Sequence, residues 1–252
     1  PEGAMLRQGT WQSEAHNLTY GAYYRHTKAF GWAPSRELLA ELRRAATTAY
    51  DIYQFGVYTG GTMRAIGRRV PHFGRLWGFD SFQGLPEETR GLMLEGKHWN
   101  AGGFSTADAL GVYNETELLR RVYQVVGRPH TTLIRGYFNE SLTEELTRRH
   151  HFQPALLVDM DVDLYSSTMD CLNWLLASQL LMPGLSYVRY DDWRREGQSW
   201  GEAAAHRHIT KRYGLTWRRI SMKEYQLLSI GRHAHSKGQA WRRKGRGLHQ
   251  SL

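Results

Sequence analysis

Apolar positions along this chain follow two periods. Between residues 35 and 46, Leu38, Leu39 and Leu42 recur at helical spacing with Glu and Arg between them, and Pro34 and Ser35 stand ahead as a start signal. From Tyr50 onward, short apolar runs alternate with amphipathic stretches. The runs 51–56, 75–80, 131–135, 154–161 and 185–190 predict strands. The stretches 62–70, 115–126, 142–150, 167–181 and 202–213 predict helices, and 216–220 with 225–230 predict a closing hairpin. The fourth run, Pro154-Ala-Leu-Leu-Val-Asp-Met-Asp161, is nearly all apolar, as expected of a strand covered on both faces.

Repeated strand–helix units predict an α/β domain over residues 50–231, Rossmann-like, with a mostly parallel sheet and helices on both faces. Residues 1–49 read as an N-terminal helical lead-in or lid. Their aromatic residues Tyr20, Tyr23, Tyr24, Phe30 and Trp32 either cap a pocket or pack in the core. Residues 81–104, rich in Gly and Pro, form a long loop of the kind that usually serves function, often as a lid.

Composition adds three constraints. With 252 residues, 41% hydrophobic and 23% charged, the chain is globular in character. Its one cysteine, Cys171, sits in an apolar helical run and reads as a buried small hydrophobe. No apolar stretch is long enough for a bilayer, and Pro1–Met5 does not open a secretory signal, so a cytoplasmic location without membrane contact is expected. The formal charge is +9, of which Arg232, Lys237, Arg242, Arg243, Lys244 and Arg246 supply +6. Residues 232–252 therefore form a basic tail, either a solvated end or a contact for nucleic acid or another polyanion.

Candidate chemistry gathers where strands end. Gln54-Phe-Gly-Val-Tyr-Thr-Gly-Gly-Thr62 places Gly56, Gly60 and Gly61 between a strand and a helix. Missing side chains let a cofactor approach the backbone, although a plain tight turn would use glycine in the same way. The spacing is neither a dinucleotide fingerprint nor a P-loop. The second strand ends in Asp80, an acid placed either to accept from ribose hydroxyls or to cap the next segment. Asp159-Met-Asp-Val-Asp163 and Asp191-Asp192 end the fourth and fifth strands. Acids brought together this way need a positive partner. A hard divalent cation such as Mg²⁺ would serve, and so would pairing with Arg64, Arg189, Arg194 or Arg195.

Taken together, Gln54-Phe-Gly-Val-Tyr-Thr-Gly-Gly61, Gly78-Phe-Asp-Ser-Phe-Gln-Gly-Leu-Pro-Glu87, Asp161-Val-Asp-Leu-Tyr-Ser-Ser-Thr168 and Asp191-Asp-Trp193 resemble the macrocin/mycinamicin O-methyltransferase family. The resemblance covers about residues 50–231. It implies a class I methyltransferase fold, with a seven-stranded sheet and an antiparallel C-terminal strand. It also implies S-adenosylmethionine as methyl donor, Mg²⁺, and a hydroxylated small-molecule acceptor, mainly a sugar on a natural product.

Carried over residue by residue, Gly56, Gly60 and Gly61 would line the methionine part of the cofactor, and Tyr58 and Thr62 would also contact the cofactor. Asp80, Ser81 and Phe82 would hold the ribose, and Gly136, Tyr137 and Phe138 would lie near the adenine. Asp161, Asp191 and Asp192 would bind the metal, and Asp163 would be the general base. His98, in the long loop, is a second candidate base, or else an exposed histidine. The family usually has Glu where this chain has Gln54, and the additional acid Asp159 competes with Asp161 for first-ligand position. A homo-oligomer is also expected. Competing readings are a methyltransferase acting on RNA or another polyanion through the tail, and a non-enzymatic cofactor-binding protein.

Overall fold

A computed structural model describes residues 32–89, 92 and 99–231 of the chain. His98, most of the lead-in, with Tyr20, Tyr23, Tyr24 and Phe30, and the tail 232–252 lie outside them. The expected strands form as β1 (Asp51–Phe55), β2 (Leu76–Asp80), β3 (Thr131–Arg135), β4 (Ala155–Met160) and β5 (Tyr187–Tyr190), and the hairpin as β6 (Thr216–Ser221) and β7 (Glu224–Ser229). They make one seven-stranded sheet in the order β3-β2-β1-β4-β5-β7-β6. Strands β1 to β5 pair in parallel, and β7 runs antiparallel between β5 and β6.

Strand alternation divides the core between the two faces. Tyr53, Phe55, Val158 and Met160 join Trp174 on one face; Ile52 and Leu157 join Leu38, Leu42, Met63 and Ile66 on the other. The second face is covered by α1 (Arg36–Ala45) and α2 (Gly61–Arg69). Helix α1 starts because the Ser35 side chain accepts from the Leu38 N–H, and Trp32, Leu38 and Leu42 join this core. Later helices are α4 (Glu115–Val126), α7 (Tyr165–Ala177) and α8 (Gly201–Tyr213).

Two expectations differ from the structure. The helix predicted over 142–150 is two short ones, α5 (Phe138–Ser141) and α6 (Glu144–Arg149), because the Thr143 hydroxyl accepts from Leu146 N–H and starts a new helix there. A further short helix, α3 (Thr106–Leu110), follows the long loop, capped by Ser105. Among the described residues no helix is long and apolar enough to cross a membrane.

Candidate active site

The motif residues meet along one edge of the sheet, at the carboxyl ends of β1 to β5. This edge continues the sheet's own hydrogen bonding. Gly136 N–H donates to Asp80 C=O (3.0 Å), Gly56 to Phe79 (2.9 Å), Asp161 to Phe55 (3.0 Å) and Asp191 to Met160 (2.8 Å). Strand order reverses between β1 and β4, the place where open α/β sheets bind ligands.

Gly56 is required by the backbone itself. Its φ is +82°, and a Cβ there would lie 1.8 Å from the Asp161 carbonyl oxygen. Gly60 (φ +89°) precedes α2, whose first residue is Gly61, with Thr62 following. Asp80 ties this turn together: its Oδ2 accepts from Val57 N–H (2.7 Å) and Tyr58 N–H (2.8 Å), and its Oδ1 from Phe82 N–H (2.6 Å). Burial raises the Asp80 carboxyl, and these three donors pull against that shift. Ser81 donates to Gly84 C=O. Phe82 is buried in the α1-side core, and the half-buried Phe138 meets Phe55 edge-on at 5.9 Å. Gly136 has φ +138°, and Tyr137 is half-buried beside it.

Gln54 is fully buried. Its Nε2 donates to Gly56 C=O (2.9 Å), while its Oε1 has no partner. An orphaned acceptor at this depth is costly unless a donor reaches it. An ammonium group such as the one on the methionine part of S-adenosylmethionine fits that need.

The acids form the other half of the site. Carboxylate oxygens of Asp161, Asp191 and Asp192 lie within 4.8 Å of one another. Burial raises the Asp161 carboxyl well above its usual range, and Asp191, Asp192, Asp163 and Asp159 push it further. Burial would also raise Asp191, but Arg189 and Lys223 outweigh it and hold that carboxyl low. Asp192 accepts from Arg194 (2.9 Å). Such an oxygen-only donor set, with uncompensated repulsion at Asp161, has the chemistry that Mg²⁺ takes. Part of the charge is nevertheless met by arginine.

Asp159 stands apart from these three. It is fully buried, and its Oδ1 accepts from Trp32 Nε1 (3.0 Å) and Arg189 Nη1 (2.9 Å). Asp163 adopts φ +61° and accepts from Trp99 Nε1 (2.7 Å). Burial raises its carboxyl well above the usual range, helped by the charge of Asp192 and a hydrogen bond shared with it.

Glu202 is a part of the site that sequence reasoning missed. Buried at the start of α8, it accepts from Val162 N–H (3.1 Å) and Asp192 N–H (2.8 Å), joining the loops after β4 and β5. In the sequence it reads only as an acid in the first turn of a helix. The long loop also reaches the site: Glu88 accepts from Ser166 N–H (2.7 Å), and Arg194 lies over the Trp99 ring at 5.1 Å.

Comparison with known proteins adds a family. The sequence model of the family described as "Macrocin-O-methyltransferase (TylF)" matches residues 37–211. No curated protein matches the chain. Similar solved structures include CalS11, a calicheamicin methyltransferase, at 20% identity over 76% of each chain with a TM-score of 0.54. The O-methyltransferase NovP follows at 20% identity, covering 76% of this chain and 79% of its own, TM-score 0.48. An O-methyltransferase from Bacillus cereus, in complex with SAH, is 13% identical over 83% of this chain and 87% of its own, TM-score 0.46. At this identity the likeness to CalS11 is one of fold.

Proposed function

The chain belongs to the macrocin O-methyltransferase family, and on that premise we propose that this S-adenosylmethionine-dependent O-methyltransferase is Mg²⁺-dependent and methylates a hydroxyl of a small molecule, a sugar or a glycosylated natural product. The observation that carries this reading is the clustering of the Asp161, Asp191 and Asp192 oxygens within 4.8 Å, with Asp163 beside them. A protein that only bound a cofactor would have little use for so costly a cluster.

S-adenosylmethionine supplies an electrophilic methyl group, and Mg²⁺ supplies a Lewis acid for the acceptor hydroxyl. The chain's own residues do the rest. The glycine turn at 56–61 and Asp80 would set the donor's place, and Gln54 Oε1 would receive the ammonium. Asp161, Asp191 and Asp192 would hold the ion. Asp163 takes the hydroxyl proton, a contribution of about 10²–10⁴-fold in rate. Trp99, hydrogen-bonded to Asp163, fixes that carboxylate's orientation. The remaining acceleration comes from holding the two reactants in line.

Asp163→Asn tests the assignment. Methyl transfer to a glycosylated acceptor should fall by at least about a hundredfold, while calorimetric binding of S-adenosylhomocysteine is kept. Unchanged turnover would refute the base role. Activity that survives thorough EDTA treatment would refute the metal.

A further inference from the structure

Arg189 joins two acids of different standing. It lies on β5, and Asp191 follows two residues later, just past the strand's end. Its Nη1 donates to Asp159 Oδ1 (2.9 Å) and its Nη2 to Asp191 Oδ1 (2.7 Å). Register extends the row: Gln54 pairs with Asp159 and Asp159 with Arg189. The Arg189 side chain is 4% exposed and that of Asp159 0%, whereas that of Asp191 is 43% exposed. Trp32 Nε1, just ahead of α1, donates to the same Asp159 oxygen (3.0 Å).

A cation beside a metal ligand lowers metal affinity by direct repulsion. A buried ion pair, for its part, adds little stability over apolar residues of the same volume. Neither effect accounts for a guanidinium held here. Its planar fork can span two carboxylates in fixed geometry, which a lysine ammonium cannot do. Asp192 is placed through its backbone by Glu202. Exposed Asp191 is placed through its side chain, by Arg189 and by Lys223 Nζ at 3.6 Å.

We propose that Trp32, Asp159 and Arg189 form a buried strut that orients Asp191 for the divalent cation, so that Arg189 strengthens cation binding despite its charge. This rests on the metal reading above. Arg189 and Asp159 are then positioning residues. Their removal should cost the 10–100-fold in affinity typical of groups that orient metal ligands.

The experiment titrates Mn²⁺ alone into the full chain by calorimetry, without donor or acceptor. The double variant Arg189→Met/Asp159→Met removes one charge of each sign, leaving net charge unchanged. Arg189→Lys keeps the charge, loses the fork, and serves if the double variant fails to fold. Both should bind Mn²⁺ about 10–100-fold more weakly than wild type, Arg189→Lys with little change in melting temperature. Arg195→Met, which removes a like charge from the segment after β5 without touching Asp191 or the strut, should bind as tightly or more tightly.

Wild-type affinity in Arg189→Lys, or in a folded double variant, would overturn the strut while leaving the metal site intact. An equal loss in Arg195→Met would reduce the effect to general disturbance of the loop and overturn it too. A wild-type chain that binds no Mn²⁺ would remove the metal reading, and the strut with it.

Discussion

His206 should make the protein lose stability in acid, by an amount the structure sets. It lies on α8 inside a shell of aromatic rings, with Tyr225 at 4.4 Å, Trp217 at 5.0 Å and Trp193 at 5.3 Å between centroids. Its Nδ1 and the Tyr190 hydroxyl are 3.0 Å apart. Burial, reinforced by Arg207, lowers this imidazole from 6.5 to about 3. Above pH 6.5 it is neutral whether the chain is folded or not, and contributes nothing. Below that, the unfolded chain takes up a proton that the folded one refuses, so stability falls with pH until about 3. At pH 4.5 the penalty is about 2.7 kcal/mol, two pH steps at about 1.4 kcal/mol each.

Asp161, Asp163 and Glu202 act in the opposite direction. Their carboxyls are raised, so the folded state takes up their protons first and gains stability on acidification. The measurement must therefore be differential. Urea unfolding at pH 8 and pH 4.5 would compare wild type with His206→Gln, which does not titrate and can still bond the Tyr190 hydroxyl. Wild type should lose about 2–3 kcal/mol more than the variant between those conditions. Parallel pH profiles would show that the imidazole is protonated in place, and the burial argument would fail.

Three further outcomes follow from the geometry. Gly56→Ala must move the tips of β1 and β4 apart, since its Cβ would lie 1.8 Å from the Asp161 oxygen at φ +82°; a loss of more than about 2 kcal/mol is expected by urea unfolding, and turnover should collapse with it. Glu202→Ala strands the Val162 and Asp192 N–H groups and should cost about 2–4 kcal/mol, with weaker Mn²⁺ binding. Deleting residues 232–252 should leave turnover of a small acceptor unchanged; a loss that depends on salt would point to a polyanionic substrate.

The strand tips were legible because each short apolar run ends in glycine or acid or is followed at once by one. Helix α4 was equally legible, since Asn114 caps it and Gly127 ends it. Helix α3 was not, because five residues are too few to show a period. Asp159, Asp161 and Asp163 look equivalent in sequence, alternating in step. They separate because β4 ends at Met160: Asp159 stays on the sheet and faces Arg189, whereas Asp163 turns away at φ +61°. Arg189 could be named as a possible partner for the acids, but its bridge to both Asp159 and Asp191 needs the register of β4 against β5. Glu202 carried no signal, since its partners are backbone groups about 10 and 40 residues distant.

The backbone bonds that run on past the strands have a consequence for how the protein breathes and how it could be altered. The amides of Gly56, Gly136, Asp161 and Asp191 belong to the sheet's ladder. Their hydrogens should exchange with solvent only when the whole sheet opens, on the slowest timescale the protein has. A rim anchored in this way offers no local play for retuning. A search for variants with new acceptors would do better among side chains on the connecting segments that touch none of the acids than along the rim.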